Sequence, residues 1–300
     1  MESPLVCIII LNWNGCQDTL ACLRSLKNIT YSDYRIILID NNSSDNSLNE
    51  FALHLDPGIT FFPLRENLGF AKGCNFGMKY ALDSLNPQYI LLLNNDTEVE
   101  PDFLDKMVKA AQTSGAGMVQ ALMLKQWDHT IIDSTGHILV WGQVEDRGNR
   151  EINSGQYTDN RNLIGVSGAA ALYRSEMIRQ MGMFDESFDS GFEDSEYSWR
   201  AYKTGWKTAY SPAAIIYHKR SISVIKRSDV DPLFFQSTWR NYVRPCKMHG
   251  TSVQKIQLTI NILCSIVKSG VGKWMGRNNV GAHPYIIALR EMLKRDIRQK

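Results

Sequence analysis

The opening hundred residues alternate short apolar runs with amphipathic stretches. Leu5–Leu11, Arg35–Ile39, Thr60–Leu64 and Tyr89–Leu93 are brief, rich in Ile, Val and Leu, and bounded by polar turns, which is the pattern of buried strands. Between them, Asp18–Leu26, Asp45–Leu55 and Phe70–Leu82 repeat their apolar residues every three or four positions, as helices do. Pro101 opens a further helical pattern that runs to Ala111 and stops near Gly115. Alternation of this kind predicts an α/β fold with a mainly parallel sheet covered on both faces.

The pattern then turns polar. From Gln126 to Asn162 only Ile138–Trp141 reads as strand, and a long irregular insertion of this sort usually forms a functional loop over a site. Apolar periodicity returns at Leu163–Tyr173 (strand), Ser175–Met181 (helix, ended by Gly182), Ser195–Lys203 (helix) and Trp206–Tyr210 (strand). Helical stretches follow around Pro232–His249, Ser252–Ser269 and Pro284–Arg298. The expected organisation is a catalytic domain over 1–220, with a nucleotide-binding half to about residue 100, and a helical extension over 221–300.

Charge sharpens that division. Residues 1–218 carry 17 Lys+Arg against 27 Asp+Glu, a net of −10, whereas 219–300 carry 16 against 4, a net of +12. A basic tail suits an anionic surface such as a membrane leaflet or nucleic acid; it equally suits docking on the acidic half of its own chain. A homodimer is compatible with the same pattern. The six cysteines show no C-x-x-C pair or zinc-ligand spacing, which predicts free thiols. No basic segment precedes Leu5–Leu11, and Ile256–Val267 is only twelve residues long, too short for a span. The expected location is therefore cytoplasmic, at most peripheral on the inner face of the cell membrane.

Candidate chemistry collects at strand ends. Asn12-Trp13-Asn14, Asp40-Asn41-Asn42 and Asn94-Asn95-Asp96 each follow an apolar run, and ligands of open α/β sheets bind beyond the strands' carboxyl ends. Asp96 is placed to hold a divalent ion on a diphosphate, or else to cap the following turn. Asp40 could accept a hydrogen bond from a nucleoside or simply start its loop. Arg65–Gly73 is a glycine-containing strand–helix junction without a P-loop or G-x-G-x-x-G, which argues against P-loop kinases and dinucleotide dehydrogenases; Gly69, Gly73 and Gly77 would also permit close helix–sheet packing. Glu193-Asp194, flanked by Phe188, Phe192 and Trp199, combine burial with like charge, which favours a proton-abstracting base; the competing reading is an acidic helix start. His218 alone reads as structural.

The order of these pieces resembles the inverting family 2 glycosyltransferases of the GT-A fold, in particular the rhamnosyltransferase-like branch. The segments that carry the resemblance are VCIIILNWNG (6–15), IILIDNNSSDNS (36–47), ENLGFAKGCNFG (66–77), YILLLNNDTEVEP (89–101), GVSGAAALY (165–173) and GMFDESFDSGFEDSEYSWR (182–200). The resemblance implies a Rossmann-like mixed sheet flanked by helices. It implies a donor site of Asn12, Trp13, Asn14, Asp40, Asn42, Asn67, Gly69, Phe70, Lys72, Asn75, Asn94 and Asn95. It also implies Asp194 as general base with Glu193 beside it, and Asp96 and His218 as ligands of Mg²⁺ or Mn²⁺. The motif's first carboxylate is Asn94 here, leaving Asp96 as the main anionic ligand, so ion and donor are expected to bind together. The implied donor is a nucleotide-diphospho-sugar, dTDP-L-rhamnose first and UDP-hexose or UDP-N-acetylhexosamine second. The implied acceptor is a hydroxyl of a growing, lipid-linked bacterial surface glycan. Basic residues Arg240, Arg244, Lys247, Lys255, Lys268, Lys273 and Arg277, with Trp239, Tyr242 and Trp274, would then touch anionic lipid. The rival from another class is a non-catalytic nucleotide-sugar-binding or membrane-docking module.

Overall fold

The computed structural model describes residues 3–189, 191–220, 232–274 and 283–294. Strands β1 (Val6–Asn12), β2 (Tyr34–Asp40), β3 (Thr60–Pro63) and β4 (Tyr89–Leu93) form the first half of the main sheet, in the order β3-β2-β1-β4, all parallel. Most residues of β1, β2 and β4 are buried because helices cover both faces, whereas β3, at the sheet's edge, is only half-buried. Helices α1 (Cys16–Leu26), α2 (Ser47–His54) and α3 (Gly69–Tyr80) make the crossovers, and a π turn over Ala81–Leu85 extends α3. Two glycines set how closely α3 approaches. A methyl at Gly73 would lie 2.7 Å from Leu11 Cδ1, and one at Gly77 would lie 2.7 Å from Ile9 Cγ2 and 2.8 Å from Ile39 Cδ1.

The second half of the sheet departs from the mainly parallel expectation. It continues β4-β11-β6-β12-β5, built from β5 (Thr97–Val99), β6 (Met118–Lys125), β11 (Ala170–Arg174) and β12 (Thr208–His218). β11 is antiparallel to both neighbours, and β5 runs antiparallel to β12, so only β6 and β12 are parallel here. Helix α4 (Phe103–Ser114) packs beneath and ends at Gly115, whose φ of +64° suits glycine.

The polar insertion is more ordered than its sequence suggests. β7 (Asp128–Ser134) joins β6, while β8 (His137–Val140), β9 (Gln143–Asp146) and β10 (Leu163–Gly165) form a separate three-stranded sheet. Trp141 and Gly142 both have positive φ (50° and 77°), the primed-turn geometry that a tight β8–β9 hairpin requires. These strands are short and mix polar residues with apolar ones such as Leu139, Val144 and Ile164, so no long run of alternation marks them.

Helices α5 (Ser175–Met181) and α6 (Glu193–Lys203) follow β11 and precede β12. Helices α7 (Pro232–His249), α8 (Ser252–Trp274) and α9 (His283–Leu293) pack on α6, β9 and β10 through a shared core that includes Val144, Ile164, Trp199, Val243, Leu258 and Ala288. Polar ties reinforce this: His249 Nε2 lies 2.8 Å from Glu196 Oε1, Ser237 Oγ donates to Asp189 Oδ2 at 3.0 Å, and the Arg244 guanidinium sits 3.9 Å over the Phe188 ring. Trp239 and Tyr242, expected at a lipid surface, are half-buried and pack against this core, edge-to-face with Tyr285 and Phe192 respectively. Arg277 and the side chains of Lys273 and Trp274 lie outside the described residues. All six cysteines are unpaired.

Candidate functional site

The three strand-end clusters meet through Asn12. Its amide nitrogen donates to Asp40 Oδ1 (2.7 Å), Ser43 Oγ (3.1 Å) and Ser47 Oγ (3.0 Å). Its oxygen accepts from Thr19 Oγ1 (2.7 Å) and Asn95 Nδ2 (3.2 Å). Asn12 and Asp40 are both buried, and the second Asp40 oxygen accepts from Ser43 N–H at 2.9 Å. These residues build the floor of the crevice, with their polar capacity directed at one another. Asn14 takes φ of +52°, which lets its Oδ1 accept from Ser44 N–H at 2.7 Å. Asn42 is likewise left-handed (φ +59°) and exposed, and Trp13 is half-buried.

The Arg65–Gly73 junction is held from below by Asn41. Its amide donates to Asn67 Oδ1 at 2.9 Å and its oxygen accepts from Leu68 N–H at 2.8 Å. Asn67 Oδ1 also accepts from Gly69 N–H at 2.8 Å, fixing the start of α3. Phe70 is half-buried and Lys72 is exposed in the first turn of that helix. Asn75 points elsewhere: it is buried and holds Phe184 N–H and C=O, each at 3.0 Å, which anchors the segment leading to Glu193.

Asp96 follows Asn94, which is half-buried, and lies beside β5. The pairing of Thr97 with His218 brings the Asp96 carboxylate to the end of β12. Asp96 Oδ1 is 3.3 Å from His218 Nε2, and His218 Nδ1 is 2.7 Å from Asp133 Oδ2; all three side chains are buried. Burial opposes protonation of His218, but the two carboxylates outweigh it and lift its pKa to about 9. Asp133 also meets Lys125 and Arg220 Nη1 (3.3 Å), and despite its burial these cations and His218 hold its pKa below the usual carboxylate value. Arg220 continues to Asp146 (2.6 Å), Asp146 to His137 (3.6 Å), and His137 Nε2 to Asp194 Oδ2 (3.9 Å). Charges of alternating sign thus run from Asp96 to Asp194.

Asp194 stands in the first turn of α6, after Phe192 with φ of +71°. Its Oδ2 accepts from Gly168 N–H at 2.8 Å and its Oδ1 from Ser195 N–H at 2.7 Å. Its side chain keeps 20 % exposure, and Oδ2 retains a lone pair for a further proton donor. A Cβ on Gly168 would come within 3.1 Å of Asp194 Cβ, so glycine is what lets that amide approach. Glu193 is the contrasting neighbour. It is buried, its Oε2 has no hydrogen-bond partner among the described residues, and burial together with the charge of Asp194 pushes its pKa up to about 8.

Residues 7–182, more than half of the chain, match the family Glycosyl transferase family 2. The chain belongs to that family. Among its relatives, a low-salt glycan biosynthesis hexosyltransferase of Haloferax volcanii is 22 % identical over 267 residues, covering 86 % of this chain and 81 % of the relative. An N-acetylglucosaminyl-diphospho-decaprenol L-rhamnosyltransferase of Mycobacterium tuberculosis is 24 % identical over 220 residues, covering 67 % and 71 %. Solved structures share the fold. GalNAc-T7 with UDP, GalNAc and Mn²⁺ aligns with a TM-score of 0.64 at 15 % identity over 84 % of this chain and 49 % of that one. S. aureus TarS aligns with a TM-score of 0.57 at 15 % identity over 85 % and 42 %. The chain therefore spans less than half of either solved structure. The family 2 member is a glycosyltransferase with a GT-A fold, a mixed sheet flanked by helices and followed by a helical C-terminal part.

Sequence reasoning missed Asp133, Lys125, His137, Asp146 and Arg220. Asp133 and Asp146 fall in the stretch taken for an irregular loop, where acids look solvated. The available signal was Asp133 itself, which follows Ile131-Ile132 and is followed by small residues, an odd place for a carboxylate without a partner.

Proposed function

We propose that this glycosyltransferase moves a sugar, L-rhamnose from dTDP-L-rhamnose first among the candidates, from a nucleotide diphosphate to a hydroxyl of a lipid-linked glycan, with inversion. The observation that carries the reading is the pairing of a buried carboxylate–imidazole set at one end of the site with a half-buried, well-oriented carboxylate at the other. Asp194 takes the proton of the acceptor hydroxyl as that oxygen bonds to the anomeric carbon. The bond from that carbon to the diphosphate oxygen breaks in the same displacement, and the nucleoside diphosphate leaves with its electron pair. Donor specificity draws on the rhamnosyltransferase relative; UDP-linked sugars are the alternative.

The residues present fit a divalent cation. Asp96 offers one carboxylate oxygen and His218 offers Nε2, while Asp133 on Nδ1 fixes the imidazole's orientation, the arrangement that supports histidine ligands in metal sites. Mg²⁺ or Mn²⁺ held there would neutralise charge on the departing diphosphate. Among the described residues no three His, Cys, Asp or Glu side chains gather as a complete ligand set, so phosphate oxygens of the donor would complete the shell. Trp13, Asn42 and the start of α3 are the proposed nucleoside and diphosphate contacts, with buried Asp40 and with Asn12, Asn14, Asn67, Asn75 and Asn95 shaping them.

Asp194→Asn tests the reading. Transfer should fall by roughly 10²–10⁴-fold, the usual worth of a general base, while donor binding by calorimetry is retained. Unchanged turnover would remove Asp194 from the mechanism.

A further inference from the structure

Helix α8 has two faces of similar apolarity and opposite fate. Leu258 and Ile262 are buried against Val243, Cys246 and Ala288. Val253, Ile256, Ile260, Leu263 and Val267 are 63, 60, 47, 46 and 65 % exposed. Their spacing of three and four residues places them within an arc of about 80° on the side away from Leu258 and Ile262, in a stripe about 21 Å long. A row of large aliphatic side chains in water is costly, so a surface that keeps one points to a partner.

The surroundings are cationic. Lys247, Lys255 and Lys294 line a groove with Ile256 and Ile260; Glu291 pairs with Lys247 and Lys294 there, so the groove keeps a net positive charge, and exposed Lys268 follows Val267. The whole of α8 contains no Asp or Glu. A second copy packed on this stripe would set lysine against lysine with no acid on the helix to pair them. No helix among the described residues is long and apolar enough to cross a membrane. An apolar stripe edged by lysines on a non-spanning helix suits a helix lying in the headgroup layer.

We propose that the outer face of α8 docks on an anionic phospholipid bilayer, with Val253, Ile256, Ile260, Leu263 and Val267 entering the interface and the flanking lysines meeting lipid phosphates. This goes beyond the transfer reaction and does not depend on which sugar is donated. It replaces the aromatic residues of α7, which are packed inside the protein, with an aliphatic contact surface.

Flotation of the full chain with phosphatidylglycerol–phosphatidylcholine vesicles, against pure phosphatidylcholine, is the test. Wild type should float with the anionic vesicles and be released by salt. The double variant Ile256→Glu/Ile260→Glu should bind about tenfold more weakly or worse, and Lys255→Ala about fivefold more weakly, the worth of one basic residue at such a surface. Circular dichroism and the thermal shift given by a nucleotide sugar, read on the same samples, separate loss of docking from loss of fold or of the donor site. Should the double variant unfold, Val267→Glu carries the same expectation. Equal flotation of wild type and variants, or no flotation of wild type, overturns the proposal. So does a wild-type dimer that Ile256→Glu/Ile260→Glu splits, which would assign the stripe to a second copy.

Discussion

Asp133 touches neither donor nor acceptor in this account, yet its carboxylate decides which nitrogen of His218 faces Asp96. Asp133→Asn keeps the shape but loses the charge, so Mn²⁺ affinity in the presence of donor should drop by about 10–100-fold, the usual cost of losing such a support. Manganese titration with nucleotide diphosphate present reads this directly, and an unchanged affinity would make Asp133 purely structural. Glu193 offers a pH test. Its folded pKa of about 8 lies above the ordinary carboxylate value, so the folded state retains a proton that the unfolded chain has released. The protein should therefore lose stability as pH rises from about 4.5 towards 8, the window between the two pKa values. Glu193→Gln should flatten that slope and gain on the order of 2 kcal/mol near pH 8, seen as a pH-dependent difference in melting temperature. Identical slopes would contradict the buried, proton-bearing carboxyl. At this scale the strand-end acids and amides were legible because each interrupts an apolar run. The Asp96–His218–Asp133 set was legible only in part, because it depends on β5 and β7 meeting β12 and β6, a register that no local pattern carries.

Helix α3 shows how an element's sequence can serve packing under the appearance of ligand binding. Gly69, Gly73 and Gly77 look like a phosphate cradle, but the latter two face Leu11, Ile9 and Ile39 of adjacent strands. Gly77→Ala would gain helix propensity and still destabilise by about 1–2 kcal/mol, because the added methyl overpacks a filled core; chemical denaturation measures this, and a stabilised variant would contradict the packing. The parallel half of the sheet was readable because β1, β2 and β4 are continuous apolar runs with amphipathic crossovers. β8 was readable as Ile138–Trp141, but β7 and β9 were not, since strands at an edge need no continuous apolar face. β12 extends beyond its expected Trp206–Tyr210 core to His218, across Pro212 and a break in register between Ser211 and Ile215. That continuation is what delivers His218 to Asp96.

Across the whole molecule, the acidic and basic portions of the chain are joined rather than separate. Glu196 pairs with His249 and Arg200, and Asp189 with Ser237 and Asn241, so the C-terminal helices brace α6, the element that carries Asp194. The charge asymmetry thus reports partly on internal docking, while Lys268 on α8 and Lys294 beside it remain on the surface. The proposed site has Asp96 at one end and Asp194 at the other, and we propose that an ion and a diphosphate bind there together. The direct test is thermal stability across a panel of nucleotide sugars with and without Mn²⁺. The melting temperature should rise with one sugar nucleotide, dTDP-L-rhamnose first, far more when Mn²⁺ is present, and the rise should be lost in Asp96→Ala. Failure of every nucleotide sugar to stabilise the protein, with or without the ion, would contradict the proposal.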